Sequence, residues 1–483
     1  MPSKLELLPP DLIARVLDEA FQLMLKPGVK VQSARARELL SAAGAIAEGD
    51  IVFIPERIAR EALASTPEKI TLFNRSGEAK VFYGEEMVQF DPGSCAVHSL
   101  DPETLEHRLS QTPDLVRLVK VAEMLPQYEA QSTALVCNDV PKEIGDLYRL
   151  YIVLLHSQKP IVTGSFSVKT LGVMFEILEI FSGGRKGLAE KPQAVFDVCP
   201  SPPLIWSEFG AENLIELARA NVPAQLISMP LAGVAAPVTI LGSVVQHAAE
   251  CLSGITIHQL ANPGAPIIWG GAPAIFDMRH GTTPMGAIET AMIDAAYAQV
   301  GKSLNLPTQA YMGASDAKVV DAQAGLESGV TALVGALAGI NLISGGGMLD
   351  FLACQSPEKL VIDAEGIAMA QQLHAGIGVW TETLATALFE GISFKGDFLK
   401  QKATRELFMK EQYIPSSVID RDSIRGWQAS GSLDTFGRAK ARTQELLTLY
   451  EKPRYTPEQD RELRTLVENL ARKAGLDALP QYE

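Results

Sequence analysis

The sequence predicts an α/β protein: an eight-stranded (β/α)8 barrel of the TIM type carrying helical extensions at both ends. Three observations lead there. Eight short β-prone runs, each ending in turn residues, lie between residues 87 and 347, and helical patterns separate most of them. Strand, crossover helix and parallel strand, repeated to eight, is the order that closes a barrel. The competing open doubly wound sheet would place a G-x-G-x-x-G turn after its first strand to hold a dinucleotide, and no such turn stands there.

Taken in order, residues 1–86 read as a helical cap. Pro10 and Asp11 open a helix at 12–25, Ser33 caps one at 34–43, and Pro55 leads one at 56–64. The barrel is expected over 87–362, with strands at 87–91, 130–137, 160–164, 194–199, 224–229, 266–270, 308–313 and 340–344. Its helices are expected near 114–125, 144–156, 171–181, 212–220, 238–260, 287–304 and 323–337. A C-terminal helical region, 363–483, follows, with helices at 365–375, 381–389, 434–450 and 457–473.

Composition narrows the function. Hydrophobic residues make up 47% of the 483 and charged residues 20%, enough apolar surface to bury a large core. A net charge of −15 argues against nucleic acid as a partner, because that affinity rests on Lys and Arg neutralising phosphates. The five cysteines (Cys95, Cys137, Cys199, Cys251, Cys354) are scattered, with no C-x-x-C pair, which fits a reducing compartment. The acid- and proline-containing start resembles neither a secretory signal nor a transit peptide, and apolar stretches such as 319–342 are interrupted by polar residues. A cytoplasmic protein with no membrane partner is the expectation.

In such barrels the chemistry sits at the C-terminal strand ends. The loop after the sixth strand, Trp269 to His280, carries two aromatics, an acid and two basic side chains; the loop after the seventh runs from Tyr311 to Lys318, with Asp321, Gln323 and Glu327 just beyond. Phe166, Trp206, Trp269, Phe276 and Tyr311 all map to mouth loops. Ring faces attract cations by about 0.5–2 kcal/mol each, so the set suits a quaternary ammonium, while plain loop packing explains it equally. Capping is the alternative for Asp316 and Asp321. No metal site is expected: His247 and Glu250 do not form H-E-x-x-H, and Cys137 and Cys199 have no local histidine partner.

Five pieces together resemble the trimethylamine:corrinoid methyltransferase superfamily. They are 226–233 (LISMPLAG) with Ala236 and Pro237; 249–254 (AECLSG); Phe276-Asp277 before Gly281-Thr282; 315–318 (SDAK) before 321–325 (DAQAG); and 419–421 (IDR) ahead of Trp427. The founding members carry pyrrolysine just before the SDAK motif, where this chain has Ala314. That departure resembles the non-pyrrolysine branch, some of whose members demethylate quaternary amines such as glycine betaine, carnitine or proline betaine. The resemblance implies a small quaternary amine substrate, a cobalamin-carrying corrinoid protein as partner and methyl acceptor, and a homo-oligomer, for which the apolar stretch 379–394 offers an interface. It also accounts for the lack of an obvious acid/base pair, since a quaternary ammonium is already an activated methyl donor.

From strand-end position, Trp269, Phe276 and Tyr311 are expected to hold the ammonium, and Arg279 or His280 to meet a substrate carboxylate. Asp316 and Glu327 are expected as the catalytic carboxylates that position the methyl or the corrinoid, with Ala314, Ser315, Gly345, Gly346 and Gly347 facing the corrinoid. Two competitors stand beside this: a lyase or aldolase using a Schiff-base lysine, for which Lys318 is the candidate, and a quaternary-amine binding protein without catalysis.

Overall fold

A computed structural model describes residues 4–480. All eight expected strands are present: Gln89–Pro92, Gln131–Ser132, Ile161–Thr163, Ala194–Val198, Ala224–Leu226, Ile267–Ile268, Gln309–Ala310 and Leu342–Gly346. They pair in parallel as a five-stranded sheet, ordered sixth, fifth, fourth, third, second, and a three-stranded sheet, ordered seventh, eighth, first. Hydrogen bonds span both gaps between these sheets. Gln309 N donates to Trp269 O (3.0 Å) on one side, and Glu129 N to Phe90 O (3.0 Å) on the other. The strands are shorter than expected because the buried apolar texture runs on past the last paired residue, as at Cys137 and Met312.

These strands are buried on both faces, as parallel strands flanked by helices must be. In the fourth, Ala194, Phe196 and Val198 face the core shared with the helices. The alternate residue Val195 joins an inner cluster with Ala130, Val162, Ile268 and Leu342. That cluster is completed by Ile70, Leu72, Val81 and Tyr83 of an antiparallel hairpin, Ile70–Phe73 with Ala79–Tyr83. Phe73 N donates to Pro192 O (2.9 Å), and the Gln89 side chain bonds the Phe82 backbone at 2.8 and 2.9 Å, so the hairpin lies across the N-terminal strand ends.

The segment expected to be a helical cap contains its three helices, Pro10–Leu25, Ala34–Ala42 and Glu56–Ser65, but also this hairpin and the short strands Val29–Val31, Ile46–Glu48 and Ile51–Phe53. A three-residue strand is too short to display a period-two pattern. Helix Ile240–Ala261 is long and apolar enough to cross a membrane, yet 78% of its most apolar window is buried within the protein. It packs against helices Pro10–Leu25, Glu56–Ser65, Glu208–Ala220 and Ile288–Ser303.

The expected boundary at 363 falls inside helix Pro357–Ala375, which packs on Ala322–Leu337. Of the helix expected at 381–389, only a 3-10 turn, Thr386–Phe389, forms, and none of its residues is buried. Helices of this length draw their stability from packing an apolar face, and here that packing is limited to Phe389 edge-on to the exposed Phe398 ring, outside the core. Helices Thr435–Leu449 and Pro457–Lys473 bury Leu446, Leu463 and Val467 in the main core.

Candidate active site

Residues from strand ends and the loops beyond them enclose a cavity of about 330 Å³, whose lining includes Ser94, Arg149, Phe166, Asp197, Cys199, Asn213, Met229 and Tyr311. Strand alternation decides what points into it. Two residues on from Val195 in the fourth strand, Asp197 turns inward, and two on from Gln309 in the seventh, Tyr311 does the same.

Asp197 anchors a buried hydrogen-bond chain. Tyr83 Oη donates to Gln225 Oε1 (3.0 Å), which leaves Gln225 Nε2 to donate to Asp197 Oδ1 (2.8 Å), while Tyr311 Oη donates to Asp197 Oδ2 (3.1 Å). Burial pushes the Asp197 carboxyl up to about 7, against the pull of the Gln225 and Tyr311 bonds and of Arg149. Burial also holds the Tyr311 phenol protonated, well above its ordinary range, with Asp197 and Asp91 adding to the effect. Cys199 is exposed at the cavity wall, where desolvation and the nearby Asp197 carboxylate push its thiol upward.

Arg149 supplies the opposite charge. It is 1% exposed and sits on helix Gly145–His156, where Nη1 donates to Thr133 O (2.9 Å) and the guanidinium lies 4.8 Å from the centre of the Phe166 ring. Its Nε has no hydrogen-bond partner, and among the described residues no carboxylate lies within ion-pair distance of it. Phe166 is fixed from behind by Asp146, whose Oδ2 accepts its backbone N–H (2.5 Å). Asn213 donates to Ser165 Oγ (2.9 Å) and leaves its own Oδ1 unpaired. The cavity therefore brings together a buried cation packed on the Phe166 ring, the Asp197 carboxyl with the Tyr311 phenol, and further hydrogen-bonding groups in one lining.

Of the residues expected to hold the substrate, the catalytic carboxylates and the corrinoid-facing set, only Tyr311 lines this cavity, joined by Phe166 from the wider set of mouth aromatics. Trp269 has the opposite strand parity: it is fully buried in the core shared with the helices, with Nε1 donating to Tyr297 O (3.0 Å) and its ring edge-on to His247. Phe276 is half-buried, its N–H bonded to Ala232 O (3.1 Å). Arg279 and His280 are exposed and turn back on Asp277, at 2.7 Å from Arg279 Nη2 and 3.2 Å from His280 Nδ1. Both side chains are engaged locally by Asp277, and neither lines the cavity.

The two carboxylates expected to be catalytic serve as staples. Asp316 accepts the backbone N–H of Met285 (2.8 Å) and Gly286 (3.0 Å); Glu327 accepts from Ser315 Oγ (2.6 Å), Asp316 N (2.8 Å) and Gln323 Nε2 (2.8 Å). Burial, with Glu327 nearby, pushes Asp316 up to about 6. Ala314 is 1% exposed and belongs to the core, and Ser315 is buried with its hydroxyl engaged by Glu327. Gly345 and Gly346 permit close packing, since a Cβ would stand 2.2 Å from Met312 O at the first and 2.5 Å from the Tyr128 ring at the second. Gly347, at φ 81°, donates its N–H to Asp363 (2.7 Å). Lys318 pairs with Asp350 (3.1 Å) and lies over Phe351, so it presents no amine to the cavity. Among the described residues, no group of three His, Cys, Asp or Glu is placed to hold a metal ion.

Arg149 and Asp197 were missed. Each nonetheless leaves a trace, an arginine inside the apolar run 147–155 and an aspartate inside the β-prone run 194–199. A charge embedded in a segment that must be buried costs several kcal/mol unless it is used.

Comparison with known proteins bears on what this cavity does. Residues 2–475 match the family model described as trimethylamine methyltransferase (MTTB). The chain is 29% identical to a trimethylamine methyltransferase MttB of Desulfitobacterium hafniense, covering 93% of this chain and 90% of the relative. It is 28% identical to a glycine betaine methyltransferase of the same species, covering 98% of each. A trimethylamine methyltransferase MttB2 of Methanosarcina mazei is 31% identical over 89% of this chain and 88% of its own length. The crystal structure of the Methanosarcina barkeri monomethylamine methyltransferase superposes with a TM-score of 0.51, covering 97% of this chain and 88% of that one at 11% identity, a likeness of fold.

Proposed function

The chain belongs to the trimethylamine methyltransferase family, and from that premise we propose that it demethylates a quaternary ammonium carboxylate, with glycine betaine the best candidate, passing the methyl to the cobalt(I) of a corrinoid carried by a separate protein. The observation that carries this reading is the pairing of Arg149 and Asp197 around one cavity of about 330 Å³. A betaine is a compact zwitterion. Its carboxylate matches the Arg149 guanidinium, which has no ion-pair partner among the described residues, and its trimethylammonium matches Tyr311 and Asp197. Trimethylamine has no carboxylate and would leave the Arg149 charge buried and unmatched.

The chemistry needs alignment more than proton transfer. The cobalt electron pair attacks the methyl carbon; the C–N bond breaks, its electrons stay on nitrogen, and a neutral tertiary amine leaves as cobalt is oxidised by two electrons. No proton moves. Because the positive charge on nitrogen disappears as the bond breaks, a bare carboxylate beside it would hold the substrate more tightly than the transition state. Hydrogen bonds from Gln225 and Tyr311 spread the Asp197 charge and soften that penalty. The corrinoid is a second substrate that stays outside, since a corrin macrocycle is far larger than the cavity. We also read the two parallel sheets as one closed barrel, supported by the hydrogen bonds spanning both gaps.

The test is to incubate the protein with reduced cobalamin and a panel of glycine betaine, carnitine, proline betaine and trimethylamine, following methylcobalamin by absorbance. Turnover with a betaine and little with trimethylamine is expected. No turnover with any quaternary amine while cobalt(I) persists would sink the reading.

A further inference from the structure

The wall of the cavity does not stop at its rim. The chain that ends the fifth strand lines the cavity with Ile227 and Met229, then continues into Leu231–Ala232; the chain that ends the sixth lines it with Ala272, then continues into Ala274–Ile275. These extensions pair in parallel, Leu231 with Ala274 and Ala232 with Ile275, and form a two-stranded crest standing on one side of the mouth. Its tips expose large apolar side chains: Val234 at 61%, Val238 at 69% and Met278 at 67%, with Met229 at 41% at the cavity edge. They converge, because a Cβ on Gly233 would touch Met278 Cε at 3.1 Å and Val238 Cγ2 at 3.7 Å. The presentation is built: Asp277 N donates to Thr282 O (2.9 Å), and Asp277 accepts from Arg279 through two side-chain bonds of 3.0 and 2.7 Å, which fixes the turn that holds Met278 outward.

Isolated exposed apolar residues need no explanation, but a contiguous, rigid group bordering a functional mouth does. The cavity supplies the rest. At about 330 Å³, and with the hairpin residues Ile70, Leu72, Val81 and Tyr83 filling the opposite end, it holds a small amine and leaves no room for a corrin ring. Any methyl acceptor must therefore meet the substrate from outside, at the mouth, beside this crest.

We propose that the crest of Val234, Val238 and Met278 is the docking surface for the protein that carries the corrinoid methyl acceptor, an inference that rests on the methyltransferase reading above. Docking there brings the acceptor over the cavity and seals the substrate from water. A rim surface of this kind contributes to association with the partner and nothing to the chemical step.

The experiment uses the full chain and the variant Val238→Glu with Met278→Glu, each assayed with two acceptors: free cobalamin reduced to cobalt(I), and a corrinoid-binding protein from the same genome reconstituted with cobalamin and reduced. Calorimetric titration with glycine betaine runs in parallel. A fall of at least tenfold in kcat/KM for the protein-borne acceptor, with free-cobalamin turnover and betaine affinity within twofold of wild type, is the expected result. Equal losses with both acceptors, or no loss with either, overturn the docking assignment. A wild type inactive with both acceptors overturns the function itself, and is told apart from the other failures by that wild-type control. Circular dichroism of the variant confirms its fold, and Val238→Ala with Met278→Ala, expected to lose less than the glutamates, guards against a local collapse.

Discussion

Two arginines of this protein illustrate how differently the same side chain is used on the two sides of the mouth. Arg279, on the loop after the sixth strand, is exposed and closes on Asp277 two residues away, so its charge is matched within one turn. Arg149, on the helix after the second strand, is buried, lies against the Phe166 ring, and meets no carboxylate. The first shapes a loop. The second holds an unmatched charge beside a cavity that contains Asp197 and Tyr311, and a group kept in that condition is a binding group in waiting. The lesson is that proximity to the mouth in sequence is a weaker guide than the absence of a partner.

The sharpest way to break this comparison is to remove the buried charge. Arg149→Met is expected to raise KM for glycine betaine by about 100-fold, in line with the roughly 2–5 kcal/mol lost when one partner of a buried charge pair is truncated. It should change little for tetramethylammonium, which lacks a carboxylate. Equal losses on both substrates would refute the assignment of Arg149 to the carboxylate.

Next in size is Asp197. Burial pushes its carboxyl up to about 7 in the folded chain, against about 3.9 for a free aspartate. KM for glycine betaine is therefore expected to fall as pH rises from 6 to 8, and Asp197→Asn should lower kcat/KM about tenfold and flatten that profile. Stability runs the other way. With folded values raised for both Asp316 (about 6) and Asp197 (about 7), the native state binds the extra protons, so their stabilising contribution is complete below about pH 4. It is lost as pH climbs through 6 and 7, and thermal melts across that window should show the midpoint falling. Asp197→Asn should remove the upper part of the trend.

Trp269→Phe tests the opposite case, an aromatic that lines no cavity. Losing the indole N–H removes a buried hydrogen bond to Tyr297 O, and the smaller ring leaves a void in the core; together they are expected to cost about 1–3 kcal/mol, read as a lower Tm with KM unchanged. The smallest effect belongs to Arg279→Ala, within about 0.5 kcal/mol in stability and without change in turnover on free cobalamin, as for most exposed ion pairs.

The fold was legible almost strand by strand, because eight short apolar runs spaced by amphipathic helices leave few other arrangements. What the pattern did not reveal was which residues of each strand face inward. In a half-exposed sheet the alternation of polar and apolar residues announces the two faces, but the strand 194–198 is nearly all apolar and buried on both. Trp269 and Tyr311 thus look equivalent as strand-end aromatics, and a one-residue difference in parity sends the first into the core and the second into the cavity. Arg149 escaped for another reason: it reaches the cavity from the crossover helix Gly145–His156, packed between helices Thr112–Met124 and Val168–Ser182, a placement that depends on long-range packing and not on any local motif.

The hairpin that fills the far end of the cluster of strands has a kinetic consequence. With Tyr83 and its neighbours closing that end, the cavity lies at the strand-end side, where, on the proposed function, the acceptor stands while the methyl moves. The amine must then be seated before the acceptor arrives, and the demethylated amine is trapped until the acceptor has departed. Steady-state measurements should therefore give the signature of a compulsory-order mechanism, with the amine first on and its product last off.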